Sequence, residues 1–122
     1  MALLSGLIPV PPSLKPESSV FELKQRLDWG EPALTIVDVR DRDSFNYSRI
    51  TGAISIPLEQ LAVSAPTSFE SGRDIYVYGA NDDQTASAFH LLKEMGFQNV
   101  AKLGGGMEAW QAAGYPIEKV VA

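Results

Sequence analysis

Residues 74 to 97 constrain the fold more than any other stretch. A run of β-branched and aromatic side chains, Ile75-Tyr76-Val77-Tyr78, leads directly into a loop of small and polar residues, and a helical pattern follows at once and stops at Gly96. Over residues 83–95, Ala88, Phe89, Leu91, Leu92 and Met95 share one helical face, while Asp83, Ser87, His90 and Glu94 share the other. Strand, loop and helix start in immediate succession are the building unit of parallel α/β sheets. The loop is where such proteins bind ligands, because the first backbone N–H groups of a helix are unpaired and carry partial positive charge.

The remaining residues extend the alternation. Ser19 and Glu22 form a capping-box pair that opens a helix with Val20, Leu23 and Leu27 on its buried face and Gly30 at its end. Leu34 to Val39 is nearly continuous and β-branched, as a strand covered on both faces requires, and Asp38 falls at its end. Residues 41–48 predict one short helix, Ile50 to Pro57 a second, shorter strand, and Leu58 to Val63 a short helix running into a loop around Pro66 and Gly72. After Gly96-Phe97 come a strand over 100–103, Gly104, Gly105 and Gly106, a helix over 107–113, and a Gly-Tyr-Pro exit. Connections too long for hairpins predict a parallel, right-handed α/β sheet with helices on both faces.

Residues 1–17 hold four of the eight prolines (Pro9, Pro11, Pro12 and Pro16), which opposes a helix and favours an extended or edge-strand lead-in. Leu3, Leu4, Leu7 and Ile8 predict docking of this segment onto the domain, with contact to a partner as the alternative. The first ten residues lack a Lys/Arg-rich start, and the prolines interrupt them, so neither a signal peptide nor a transmembrane helix is expected. A cytoplasmic location is the expectation, with no contact to membranes.

Charge and composition exclude several chemistries. A net charge of −5, with ten Lys and Arg scattered among fifteen acids, disfavours nucleic acid, whose binding rests on clustered cations. The sequence has no cysteine, which removes disulfides, thiolate nucleophiles, persulfide carriers, iron–sulfur ligands and Cys-based zinc sites together. His90 is the single histidine, and its place on the polar helical face disfavours a catalytic base. No metal and no cofactor are expected.

The ordered pieces resemble a single-domain rhodanese. The matching residues are Val37-Asp-Val-Arg40 with Phe45, Ile50-Thr-Gly-Ala-Ile-Ser-Ile-Pro-Leu58, Ile75-Tyr-Val-Tyr78, Gly96-Phe97-Gln-Asn-Val100, Leu103-Gly-Gly-Gly-Met-Glu-Ala-Trp110 and Ala113-Gly-Tyr-Pro116. The resemblance covers roughly residues 18–118, and it implies that 18–122 form a rhodanese-like domain behind a Pro-rich segment 1–17. It implies a five-stranded, mainly parallel sheet with helices on both faces, and an active loop in which a cysteine takes up sulfur as a persulfide. On this resemblance the nucleophile position is Gly79, and the loop continues as Ala80, Asn81, Asp82, Asp83, Gln84 and Thr85, with Gln84 where the family often has arginine. Arg49 stands where the family often has histidine before the isoleucine. Glycine offers no side chain for a sulfane sulfur, and Asp82 and Asp83 repel thiosulfate-like anions. Departures at several loop positions fit natural loss of activity better than a single engineered substitution.

Structural readings stand beside these. Asp82 and Asp83 suit a helix N-cap and first-turn acids, or an acidic site for a cation or basic peptide. Asp38 and Arg40, beyond a buried strand, suit a structural ion pair. The three glycines suit turns with positive φ and close packing. Trp29, Trp110 and Tyr115 suit core or rim positions, and Tyr76 and Tyr78 suit aromatic packing within the sheet. The functional expectation is a catalytically inactive binding or regulatory module that presents the 79–84 loop to a protein partner or small ligand. One alternative is residual sulfurtransferase or another transfer reaction through Thr85, Asp82 or Asp83. The other is a structural or dimerising protein. Monomer or weak homodimer is the expected assembly.

Overall fold

The computed structural model of the chain describes residues 14–30 and 33–120. Five parallel strands form one sheet in the order β1-β6-β5-β2-β4, made of β1 (Glu17–Ser18), β6 (Asn99–Leu103), β5 (Asp74–Tyr78), β2 (Leu34–Asp38) and β4 (Ile54–Ser55). The fold is therefore the α/β architecture that the sequence predicts. Glu17 and Ser18 provide an edge strand, as the proline-rich lead-in requires, whereas the docking expected of Leu3, Leu4, Leu7 and Ile8 lies outside the described residues.

Strand pleating divides the core in two. Ile75 and Val77 face one side with Val37, Val39 and Val100, where α3 (Leu61–Ser68) and α4 (Asp82–Glu94) cover them through Leu61, Ala65, Phe89 and Leu92. Tyr76 and Tyr78 face the other side with Ile36, Ala101 and Leu103, covered by Leu23 of α1 (Val20–Asp28) and by Met107 and Trp110 of α5 (Gly106–Ala112). Both capping-box bonds at Ser19 and Glu22 are present, and Gly30 follows α1 with φ +74°. Trp29 departs from expectation: it is 74% exposed at the end of α1 rather than in core or rim.

Two expectations give way to non-local pairing and local packing. The run from Ile50 to Pro57 is not one strand. A turn at Thr51-Gly52, with Gly52 at φ +89°, splits it into β3 (Ser48–Ile50) and β4, and β3 pairs antiparallel with β7 (Ile117–Lys119) in a second, two-stranded sheet. The Gly-Tyr-Pro exit thus leads into a strand. Pro66 lies inside α3 rather than in a loop. Its missing N–H would have met the carbonyl of Ala62 on the exposed face, while Leu61 and Ala65 hold the opposite face in the core. The short helix α2 (Arg42–Tyr47) is capped by Asp41, whose side chain accepts the Ser44 N–H.

Candidate functional site

The three central strands end at one cleft. After β2 comes Arg40, after β5 the 79–81 loop, and after β6 the glycines 104–106, so a cleft of about 710 Å³ opens at the C-terminal edge of the sheet between the loop and α5. Gly79, Ala80, Asn81, Asp82 and Thr85 line it from one side, and Gly105 to Ala109 with Gln111 and Ala112 line it from the other. Asp83 and Gln84 belong to the same loop and helix start but do not line the cleft. Asp82 and Glu108 place two carboxylates among the lining groups, and the lining cation, Arg40, is engaged elsewhere.

Arg40 grips the end of its own strand. Its Nη2 donates to Asp38 Oδ2 at 2.7 Å and to the Ser48 carbonyl at 2.6 Å, and its Nε and backbone N–H donate to Asp38 Oδ1 at 3.0 and 2.9 Å. The Asp38 side chain is 0% exposed and that of Arg40 13%. Burial works to lower the guanidinium pKa, but hydrogen bonds to Asp38 and its charge outweigh burial and hold it above the usual value. The pair is the structural ion pair expected from sequence.

Tyr78, directly before Gly79, is buried and accepts the Ile50 N–H at 3.2 Å through its hydroxyl. Burial first, then the charge of Asp38, pushes the phenol well above its ordinary pKa, against the Ile50 N–H and Arg40. A raised phenol pKa means that the folded state holds the proton more tightly than the unfolded chain. The stabilisation is complete below the unfolded value of about 10 and is lost as pH rises through and above it. The urea midpoint should therefore fall above pH about 10 in the wild-type chain, and fall less steeply in Tyr78→Phe.

The loop itself is closed by its own side chains. Asn81, not Asp82 or Asp83, is the N-cap of α4, accepting the Gln84 N–H at 2.8 Å, and the two aspartates are acids of the first turn. Thr85 Oγ1 accepts the Gly79 N–H at 2.8 Å and donates to the Asn81 carbonyl at 3.0 Å. Gln84 turns back so that Oε1 accepts the Ala80 N–H at 2.7 Å. The backbone donors of Gly79 and Ala80 are thus both satisfied inside the chain. Sequence reasoning missed the bond from Ala80. The available signal was Asn81 followed three residues later by Gln84, close to the capping-box pattern.

The opposite wall depends on glycine. Gly105 has φ +73°, and a Cβ there would lie 2.5 Å from the Ala109 Cβ; Gly106 has φ +53°, and a Cβ there would sit in ordinary contact with the Gly79 carbonyl oxygen at 3.6 Å. Gly104 is not in the left-handed region and instead donates its N–H to the Ser18 carbonyl at 2.8 Å. His90 is exposed, with its ring edge-on to Phe89, and Arg49 stacks on Phe45 and pairs with Glu118 in the second sheet. Neither lines the cleft. Among the described residues no group of three or more His, Cys, Asp or Glu side chains is placed to hold a metal ion, and no helix is long and apolar enough to cross a membrane.

Comparison with known proteins agrees with this geometry. The rhodanese-like domain family matches residues 19–113. Thiosulfate sulfurtransferase GlpE of Actinobacillus succinogenes is 34% identical over 84 residues, covering 68% of this chain and 74% of that protein. A transcriptional regulator of the HTH type from Mycobacterium tuberculosis is 33% identical over 108 residues, covering 85% of this chain and 46% of the regulator, so the chain spans about half of that relative's length. The crystal structure of the Alr3790 protein from Anabaena sp. aligns with a TM-score of 0.83 at 50% identity, over 86% of this chain and 94% of that one.

Proposed function

We propose that this chain, which belongs to the rhodanese-like domain family, is a binding or regulatory module that presents the 79–84 loop and its cleft to a protein partner or small ligand and carries no sulfur itself. The observation that carries this reading is the state of the loop. The position that the family resemblance assigns to the nucleophile is Gly79, and the adjacent N–H of Ala80 is bonded to Gln84 Oε1 rather than left open. A persulfide needs a thiolate, stabilised by loop dipoles or cations, and this sequence supplies neither a thiol nor a cation within the loop.

Two further observations support it. Thr85, the hydroxyl nearest to a substitute nucleophile, is buried and engaged at both its donor and its acceptor, which makes it a brace of the loop. Asp82 and Glu108 give the cleft an acidic lining suited to a basic group on a partner, and Asp83 adds a further carboxylate at the helix start. The relatives include a sulfurtransferase and a transcriptional regulator, so the family name by itself favours neither catalysis nor regulation. We read residues 18–122 as the domain and 1–17 as its lead-in.

Capture from source lysate tests the loop as a contact surface. A partner held by the wild-type chain and lost from the Asp82→Lys/Asp83→Lys variant is the expected result. Capture of the same proteins in equal amounts by both would contradict it.

A further inference from the structure

We propose that the Gln84 side chain is a built-in stopper of this loop, filling the space that a side chain at residue 79 would need and occupying the Ala80 backbone donor. In consequence, neither a residue-79 side chain nor a ligand reaches that point unless Gln84 moves. The inference rests on reading 79–84 as the functional loop, and it explains a glycine that the backbone does not. Gly79 does not have a positive φ, so no left-handed conformation demands glycine there.

What requires glycine is the neighbour. A Cβ at residue 79 would lie 2.8 Å from Gln84 Oε1, 3.0 Å from its Cβ and 3.1 Å from its Cγ. The oxygen is the flexible end of the side chain and could swing aside. The Cβ and Cγ stand at its root and would have to give by a few tenths of an ångström as well. Swinging the oxygen aside breaks its 2.7 Å bond from the Ala80 N–H. One rotamer thus fills the hole and satisfies the donor, and the two residues form a coupled pair. Thr85 holds the Gly79 N–H independently, so removal of Gln84 should open the loop at one point without releasing its whole backbone.

The consequence is that a thiol restored at residue 79 is obstructed while Gln84 remains. Gly79→Cys alone is expected to yield a thiol that reacts slowly with a small aromatic disulfide, the thiolate forming the mixed disulfide and releasing the aromatic thiolate. Adding Gln84→Ala should speed that reaction about tenfold or more. It should also recover part of the unfolding midpoint lost in the single variant. Equal thiol rates in the two backgrounds would overturn the proposal.

A second readout needs no change at residue 79 and does not depend on any past role of that position. In Gln84→Ala, amide hydrogen exchange at Ala80 should accelerate several-fold, with Gly79 protected as before. Gln84→Glu, which keeps an acceptor oxygen at the same reach, should preserve the protection. Exchange at Ala80 that is unchanged in Gln84→Ala would refute the stopper, whatever the loop binds.

Discussion

Replacing Arg40 by alanine is expected to lower the free energy of unfolding by about 3–5 kcal/mol, the cost of stripping one partner from a buried ion pair. The Asp38 carboxylate is 0% exposed, and without the guanidinium it would keep the backbone N–H of residue 40 and the Tyr78 hydroxyl but no counter-charge. The Ser48 carbonyl would lose its 2.6 Å donor at the same time, loosening β3 against β2. Since small domains hold only about 5–15 kcal/mol in total, the variant should stand near its unfolding threshold at moderate temperature. Asp38→Ala should also destabilise strongly, by leaving a largely buried cation with the Ser48 carbonyl and the Tyr78 ring as its remaining partners. The double variant Arg40→Ala/Asp38→Ala should lose clearly less than the sum of the two single losses, because neither charge is then stranded. Urea unfolding of the four proteins measures this, and strictly additive losses would show that the pair does not act as a unit.

The same pair explains why the cleft offers so little to an anion. Arg40 lines it, yet the guanidinium is bonded to Asp38 and Ser48 and stacked on Tyr78, so its charge is neutralised where it stands. With Asp82 and Glu108 also in the lining, an anion such as thiosulfate would meet two carboxylates there.

Local signals made the centre of this fold legible. Ile75 to Tyr78 and the periodic residues Ala88, Phe89 and Leu92 placed the strand, the loop and the helix face, because each rests on spacing within one element. The Asp38–Arg40 pair was legible for the same reason, being two residues apart at a strand end. The second sheet was not, because Ser48–Ile50 pairs with Ile117–Lys119 across the length of the domain and nothing local marks that register. Pro66 misled because its effect depends on which carbonyl it faces, and here that carbonyl lies on the exposed side of α3. Gln84 was legible as a departure from the family's arginine, but its contact with Ala80 depends on the rotamer of one side chain.

The second large effect is an absence. A sulfurtransferase of this family holds the transferred sulfur on a cysteine thiolate, and a hydroxyl or carboxylate does not hold a sulfane sulfur comparably. Of the residues left at the loop, Gly79 has no side chain, Thr85 is bonded at both ends, and Asp82 and Asp83 repel the anionic donor. Removing them should therefore change no transfer rate, since none carries sulfur. The direct measurement is thiosulfate:cyanide sulfur transfer by the purified chain beside Thr85→Ala and Asp82→Ala/Asp83→Ala. Rates equal to the buffer control are expected for all three proteins. Thiocyanate formation that rises in proportion to the wild-type chain, and that falls in either loop variant, would contradict that expectation.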